Sequence, residues 1–380
     1  MKKSVFTSIL LGVFISFFSS TSVSQNHYKP TFPLGEFIRP VGVNPILSPD
    51  SSSVFFCPMN NKNVHWEEGD AFNPGAVVKD GKICILYRAE DNSAVGISTR
   101  VSRVALAEST DGFSMIKRKS PVLFPGNDNN KKYEWPGGCE DPRVSVTEDG
   151  TFVIFYTSWN REKARLCVAT SNDLINWQKH GPVFAKAYDG RFLNTWSKAS
   201  SILTNLKNDK LVIKKINGKY FMYWGEYVIY GATSDDLKNW TPVLNEKNQL
   251  KVLMSPRKGY FDSELTECGP PAIWTETGAI LLYNGKNKAG EGDSGYAVNA
   301  YCAGQALFDP QDPTKLIKRL DKPFLFPQED FEKSGQYPSG TVFIEGLVYF
   351  KLKWFLYYGC ADSRVSVAVF NPFFSDKNVR

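Results

Sequence analysis

Five alanines recur near the ends of strand-like runs, at positions 107, 169, 232, 306 and 368, spaced 62, 63, 74 and 62 residues apart. The runs read VALAESTDGF, LCVATSNDLINW, IYGATSDDLKNW, CAGQALFDPQDP and VSVAVFNP. Ahead of each stands an aromatic-rich run opening on Tyr87, Tyr156, Tyr223, Tyr283 and Tyr357 or Tyr358. Shorter apolar runs precede these in turn: PGAVVK, PRVSVT, KASSIL, PPAIWT and SGTVFI. A repeat of this length holds one four-stranded sheet, and sheets stacked face to face around an axis leave only short edges. The pattern predicts an all-β chain folded as a single five-bladed β-propeller over residues 25–380, with its active site in a central pocket. A two-sheet sandwich would not generate a five-fold period. Aromatic content of 14% and 29 glycines suit pleated strands joined by tight turns, and no run keeps a helical period.

The first residues, MKKSVFTSILLGVFISFFSSTSVSQ, put two lysines before an apolar run and small residues after it. That order predicts a cleavable secretory signal over residues 1–24 and an exported protein, periplasmic or extracellular. A net charge of +6, with Lys and Arg scattered among Asp and Glu, implies neither nucleic acid nor, once the signal is removed, a membrane as partner. Seven cysteines lie far apart with no CxxC pair, and the chain has three histidines. This spacing fits no zinc site and no dense disulfide framework, and small buried hydrophobes are the expected role. No metal or organic cofactor is called for.

The candidates for chemistry sit at matching places of the repeat. Asn73, Asp141, Lys198, Glu267 and Ser339 stand at or just before the first strand of successive copies, while Arg88, Glu226 and Asp362 follow the tyrosines of the second strands. Taken singly, each has an ordinary reading as a turn former or a solvated charge, since ionised side chains are mostly exposed. Taken together, their equivalence predicts convergence on one pocket, with Arg143 beside them and Trp135, Trp196, Trp224 and Tyr223 close in sequence. Carboxylates bind hydroxyl pairs and aromatic faces cover the C–H faces of a pyranose, so the set describes a sugar site. Two carboxyl groups of opposite protonation are also what glycosidic cleavage needs. Within GGCEDPRV (137–144), Glu140 and Arg143 are expected to pair and to hold the loop that presents Asp141.

The ordered series FNP, LYRAE, SRVALAES-x-DG, G-x-EDPR, K-x-(A/S)-x-(I/L), GPP and YG-x-AD resembles glycoside hydrolase family 130, the β-mannoside phosphorylases and β-1,2-mannosidases. The likeness runs from about Asn73 to about Phe370. It implies an inverting enzyme in which Asp141 is the general acid, its proton passing through a hydroxyl of the mannose. By the same matching Asn73, Arg88, Lys198 and Asp362 are implied as mannose ligands. Phosphorylases of the family carry basic residues for phosphate where this chain has Trp224–Gly225–Glu226, Thr266–Glu267–Cys268 and Tyr283–Asn284–Gly285. Two carboxylates near a phosphate dianion repel it by roughly several kcal/mol even at an effective dielectric near 20. The resemblance therefore implies the hydrolytic branch: an exo-acting β-mannosidase cutting β-1,2-linked mannosides, with Glu226 and Glu267 as candidates for the base. A phosphorylase releasing mannose 1-phosphate and a non-catalytic carbohydrate-binding propeller are the alternatives.

Overall fold

The computed structural model describes residues 28–374, so the expected signal at 1–24 lies outside them. The chain is almost wholly β, 45% strand against 2% helix. Five antiparallel units follow one another. The first holds Asp70–Lys79, Lys82–Glu90, Ser102–Ser109 and Ile116–Lys117; the second Gly138–Val146, Phe152–Trp159, Ala164–Ser171 and Gln178–Pro182. In the third, Ser200–Lys207, Lys219–Trp224, Ile229–Ser234 and Trp240–Pro242 pair in order. The fourth opens on two short strands, Leu265–Cys268 and Ala272–Thr275, both paired to Gly278–Lys286, with Tyr301–Phe308 and Leu316–Arg319 outside. Val342–Phe350, Lys353–Cys360 and Arg364–Phe370 make the fifth.

Both faces of each unit are buried, which explains why its middle strands read as near-continuous apolar runs. Along Lys82–Glu90, Ile83, Ile85, Tyr87 and Ala89 pack toward the fifth unit, while Cys84 and Leu86 pack toward the second. The same alternation gives five apolar cores, one between each neighbouring pair of units, including one between the fifth and the first. All seven cysteines are free and buried, as small hydrophobes in or beside these cores. The fifth unit is completed by the N-terminal segment: Ile38 and Val369 exchange backbone hydrogen bonds at 2.9 and 2.8 Å, and Val365 donates to the Leu47 carbonyl at 3.0 Å. Between them, the Asn44 side-chain amide bonds both backbone groups of Val367 at 2.9 Å, standing in for a missing strand.

The repeated tyrosines are buried anchors. Tyr87 donates to Glu67 at 2.8 Å, Tyr156 to Glu134 at 2.8 Å, Tyr283 to Asp262 at 2.7 Å and Tyr358 to Glu332 at 2.8 Å. Each of those carboxylates also meets a cation: Lys117, Lys179, Arg257 and Arg39, respectively. Tyr358, not Tyr357, is therefore the fifth member. Only Tyr223 departs, donating to the Pro313 carbonyl at 2.9 Å. The turn sequences repeat for a similar reason. Ser171 and Ser234 bond Asp173 and Asp236, whose carboxylates accept backbone N–H groups two and three residues on. The following Leu174 and Leu237 take a left-handed φ and accept from the Trp177 and Trp240 indoles.

Removing the hydroxyl from one of these tyrosines leaves a buried carboxylate short of a donor. Tyr156→Phe should cost about 1–3 kcal/mol of stability, and Tyr223→Phe, which frees only a carbonyl, about 0.5–1.5 kcal/mol. Urea-denaturation midpoints of the two variants test this order. Equal midpoints would remove the case for a charged anchor.

Candidate active site

Asp141 lies inside a strand, not ahead of it. The register shifts between Glu140 and Arg143, and again between Phe72 and Pro74, so Asp141 and Asn73 occupy equivalent bulges with φ of 48° and 47°. A bulge re-aims a side chain, here toward the neighbouring unit. A Cβ on Gly75 would stand 2.3 Å from the Pro142 carbonyl oxygen, so only glycine lets the two bulged strands come this close. In the fifth unit the bulge falls between Ile344 and Gly346 and presents Glu345. Ser339 sits in the turn before that strand, where the repeat places it, but the residue turned inward is Glu345. Lys198 does precede its strand, and Glu267 lies in the first short strand of the fourth unit.

Side chains from all five units converge on Asp141. Its Oδ1 accepts from Asn73 Nδ2 at 3.0 Å and Arg88 Nη1 at 3.1 Å, and Lys198 Nζ is 3.7 Å from Oδ2. Arg88 also binds Glu90 at 2.6 Å and Glu140 at 2.9 Å, so its guanidinium is held largely by protein carboxylates. Lys198 reaches Glu226 Oε1 at 3.8 Å, and Glu226 Oε2 accepts the Trp196 indole N–H at 2.8 Å. Arg143 does not pair with Glu140 as expected. The bulge separates them, and Arg143 turns to Glu345 at 2.9 Å, Glu267 at 4.0 Å and the carbonyls of Cys268 and Gly269. It is 3% exposed, and its hydrogen bonds to three backbone carbonyls and its contact with Glu345 brace the strands that carry the site.

The charges do not balance. Arg88, Arg143 and Lys198 face seven carboxyl groups: Glu90, Glu140, Asp141, Glu226, Glu267, Glu345 and Asp362. Several must hold protons at neutral pH, because buried like charges disfavour one another. Burial, then the charge of Glu226, pushes Glu267 up to about 8 against the pull of Lys198 and Arg143. Burial, with Asp141 and Glu90 adding to it, pushes Asp362 up to about 7. Glu345 is raised well above the usual carboxylate range by burial, with Arg143 only partly offsetting it. Asp141 is the exception. Burial would raise it too, but Arg88, Lys198 and Arg143, with the Asn73 hydrogen bond, outweigh burial and hold it well below that range.

Other expectations are revised. Tyr223 and Trp224 are 0% and 1% exposed and belong to the cores on either side of the third unit, because successive residues of their strand alternate between two apolar faces. Trp135 is half-buried, and Trp196 is 45% exposed beside Glu226. Glu345 escaped the sequence reading, as did Tyr301, whose hydroxyl is raised first by burial and then by Glu267 and Asp362. A visible signal for Glu345 was the lone acid within the apolar run TVFIEGLVYF.

The family model described as beta-1,4-mannooligosaccharide phosphorylase, Glyco_hydro_130, matches residues 45–372. A 1,2-beta-oligomannan phosphorylase from Thermoanaerobacter sp. (strain X514) is 31% identical over 80% of this chain and 90% of its own. A glycosyl hydrolase structure from Bacteroides ovatus superposes with a TM-score of 0.89 at 58% identity, covering 93% of this chain and 99% of that one. Another structure, also 58% identical with a TM-score of 0.89, covers 91% and 97% of the two chains. It is reported with the finding that the GH130 family of mannoside phosphorylases contains glycoside hydrolases that target beta-1,2 mannosidic linkages in Candida mannan.

The proton on Glu267 has a thermodynamic signature. Below about pH 4.5, its ordinary value, folded and unfolded chains both hold this proton; between there and about 8 only the folded chain does. Raising the pH through that window therefore favours unfolding. The melting temperature of Glu267→Gln, measured against the unaltered protein, should climb from about pH 5 to about pH 8. A difference that stays flat would place the proton elsewhere.

Proposed function

The chain belongs to the glycoside hydrolase 130 family, whose members act on mannosides, and from that premise we propose an exported, inverting exo-β-mannosidase that hydrolyses β-1,2-linked mannosides. The proposal takes residues 1–24 as a signal peptide and the rest as one five-bladed β-propeller. Five apolar cores between successive units, the last joining the fifth to the first, support that architecture.

The observation that carries the hydrolytic reading is the excess of carboxyl groups where phosphate would have to enter. Lys198 is the one ammonium beside Glu226 and Glu267, and it is already shared with Asp141. A dianion there would have to compete with Asp141 and Glu226 for the single Lys198 ammonium and would lie against the Glu226 carboxylate, whereas water needs a carboxylate to accept its proton. Glu267 is buried and protonated at neutral pH. That leaves Glu226, with 14% of its side chain exposed, as the base, and Glu267 as its neutral partner. Lys198 Nζ lies 3.7 Å from Asp141 and 3.8 Å from Glu226, which caps the separation of those two oxygens at 7.5 Å. Inverting enzymes keep roughly 6.5–9.5 Å between acid and base to seat a water.

Asp141 is the proton donor in this scheme and must gain its proton once the sugar is in place. A mannose hydroxyl that takes the Lys198 ammonium as its partner draws it away from Asp141 and so weakens one of the charges that hold its proton affinity down. Asn73, Arg88, Lys198 and Asp362 orient the mannose, Arg88 mainly by fixing Asp141. The curated relatives named as phosphorylases favour a second reading, phosphorolysis at an atypical site.

Product analysis separates the two. On β-1,2-mannobiose the protein should release mannose at a rate independent of inorganic phosphate, first as the α-anomer. Mannose 1-phosphate formed only with phosphate present would overturn hydrolysis. Asp141→Asn should lower turnover by about 10²-fold or more, and unchanged turnover would remove Asp141 from the mechanism.

A further inference from the structure

Trp196 is the one exposed tryptophan among the described residues, and both of its sides are engaged. Its indole N–H is tied to Glu226 at 2.8 Å. Its ring meets that of Trp159 edge-on, with centroids 5.8 Å apart and planes at 67°. Trp159 is itself fixed: its N–H donates to the Ser98 carbonyl at 3.0 Å. A Cβ on Gly137 would stand 2.2 Å from the Trp159 ring, so the glycine ahead of the Asp141 strand makes room for it. The pair thus rests on the glycine that leads into the Asp141 strand and touches Glu226, which faces Asp141 across Lys198. An indole fixed by a hydrogen bond and by a neighbouring ring loses little freedom when a ligand covers it, and its exposed surface suits the C–H face of a sugar ring.

We propose that Trp196, braced by Trp159, is the wall of a subsite for the leaving-group sugar, the second pyranose of a β-linked mannoside. This rests on the mannosidase reading and extends it. The bond to Glu226 makes Trp196 a positioning residue as well: the surface that the leaving sugar covers is the one that orients the base. The ring face and the N–H therefore have separable roles, one in disaccharide affinity and one in turnover.

The test uses calorimetric binding of β-1,2-mannobiose and of mannose to Asp141→Asn protein, with and without Trp196→Ala or Trp196→Phe. Turnover of mannobiose and of methyl β-mannoside is measured in the Asp141 background. Trp196→Ala should weaken mannobiose about tenfold and leave mannose unchanged. Trp196→Phe keeps a ring and should retain most of the disaccharide affinity, while lowering kcat on both substrates. Equal losses for mannobiose and mannose, or none, would overturn the wall. So would a change of oligomeric state in Trp196→Ala with mannobiose affinity intact, which would make the indole a contact between copies. Mannobiose that binds Trp196-dependently without being hydrolysed would sink the hydrolase reading and leave the subsite standing. No mannobiose binding by the unaltered protein would sink both.

Discussion

One guanidinium joins three of the five units. Arg143 rises from the second unit, reaches the Glu345 carboxyl of the fifth with a guanidinium N–H, and donates to the Cys268 and Gly269 carbonyls of the fourth. It also donates to the carbonyl of Asp141, two residues back, and so fixes the bulge that aims Asp141 inward. Removing it would leave the Glu345 carboxyl and three backbone carbonyls without their donor, and each buried polar group left unpaired costs about 1–3 kcal/mol. The geometry of the site and the cohesion of the units at their centre therefore hang on the same side chain. This is why Arg143 turns toward the fourth and fifth units while Asp141, two residues earlier, turns toward Arg88 and Lys198.

The surplus of carboxyl groups around that centre has a second effect. A site with more acids than cations stores protons, and where they settle depends on small differences in burial and neighbouring charge. Glu267 keeps one because it is buried beside Glu226, while the positive charges of Arg88, Lys198 and Arg143 hold Asp141 ionised. A neutral sugar entering such a cluster redistributes charge without adding any. Acid and base roles are thus properties of the loaded site and cannot be assigned from residue type alone.

Much of the fold was legible in the chain because the repeat is built from local chemistry. Four of the five tyrosines recur since each ends on a buried carboxylate, and the Asp-Leu-x-x-Trp turns recur since the aspartate, the left-handed leucine and the indole close on one another within a few residues. The site was legible where it followed the same repeat, as with Asn73, Asp141, Lys198 and Glu226. It was hidden where a residue depends on a partner from a distant unit. Glu345 sits in an apolar run that argues against a buried acid, and only Arg143, arriving from another sheet, makes it tolerable. The expected Glu140–Arg143 pair failed for the same reason: a bulge between them sends each to a partner that sequence proximity does not suggest. Tyr223 and Trp224 looked like sugar platforms, but the core of the neighbouring unit claimed them.

The fifth unit leaves one place for the chain's early residues, and Asn44 meets Val367 across 323 positions. Closing so long a loop is entropically unfavourable, though the cost grows only with the logarithm of its length. Its larger effect is on rates, since pairings between such remote residues form late and slow the search. Once made, they work in the other direction. A strand can fray from an open sheet one edge at a time, but here the last sheet is latched by the first segment, and parting them requires several hydrogen bonds to fail together. The barrier to unfolding, rather than the depth of the folded state, is where this latch acts, so it lengthens the lifetime of the closed molecule more than it shifts its equilibrium.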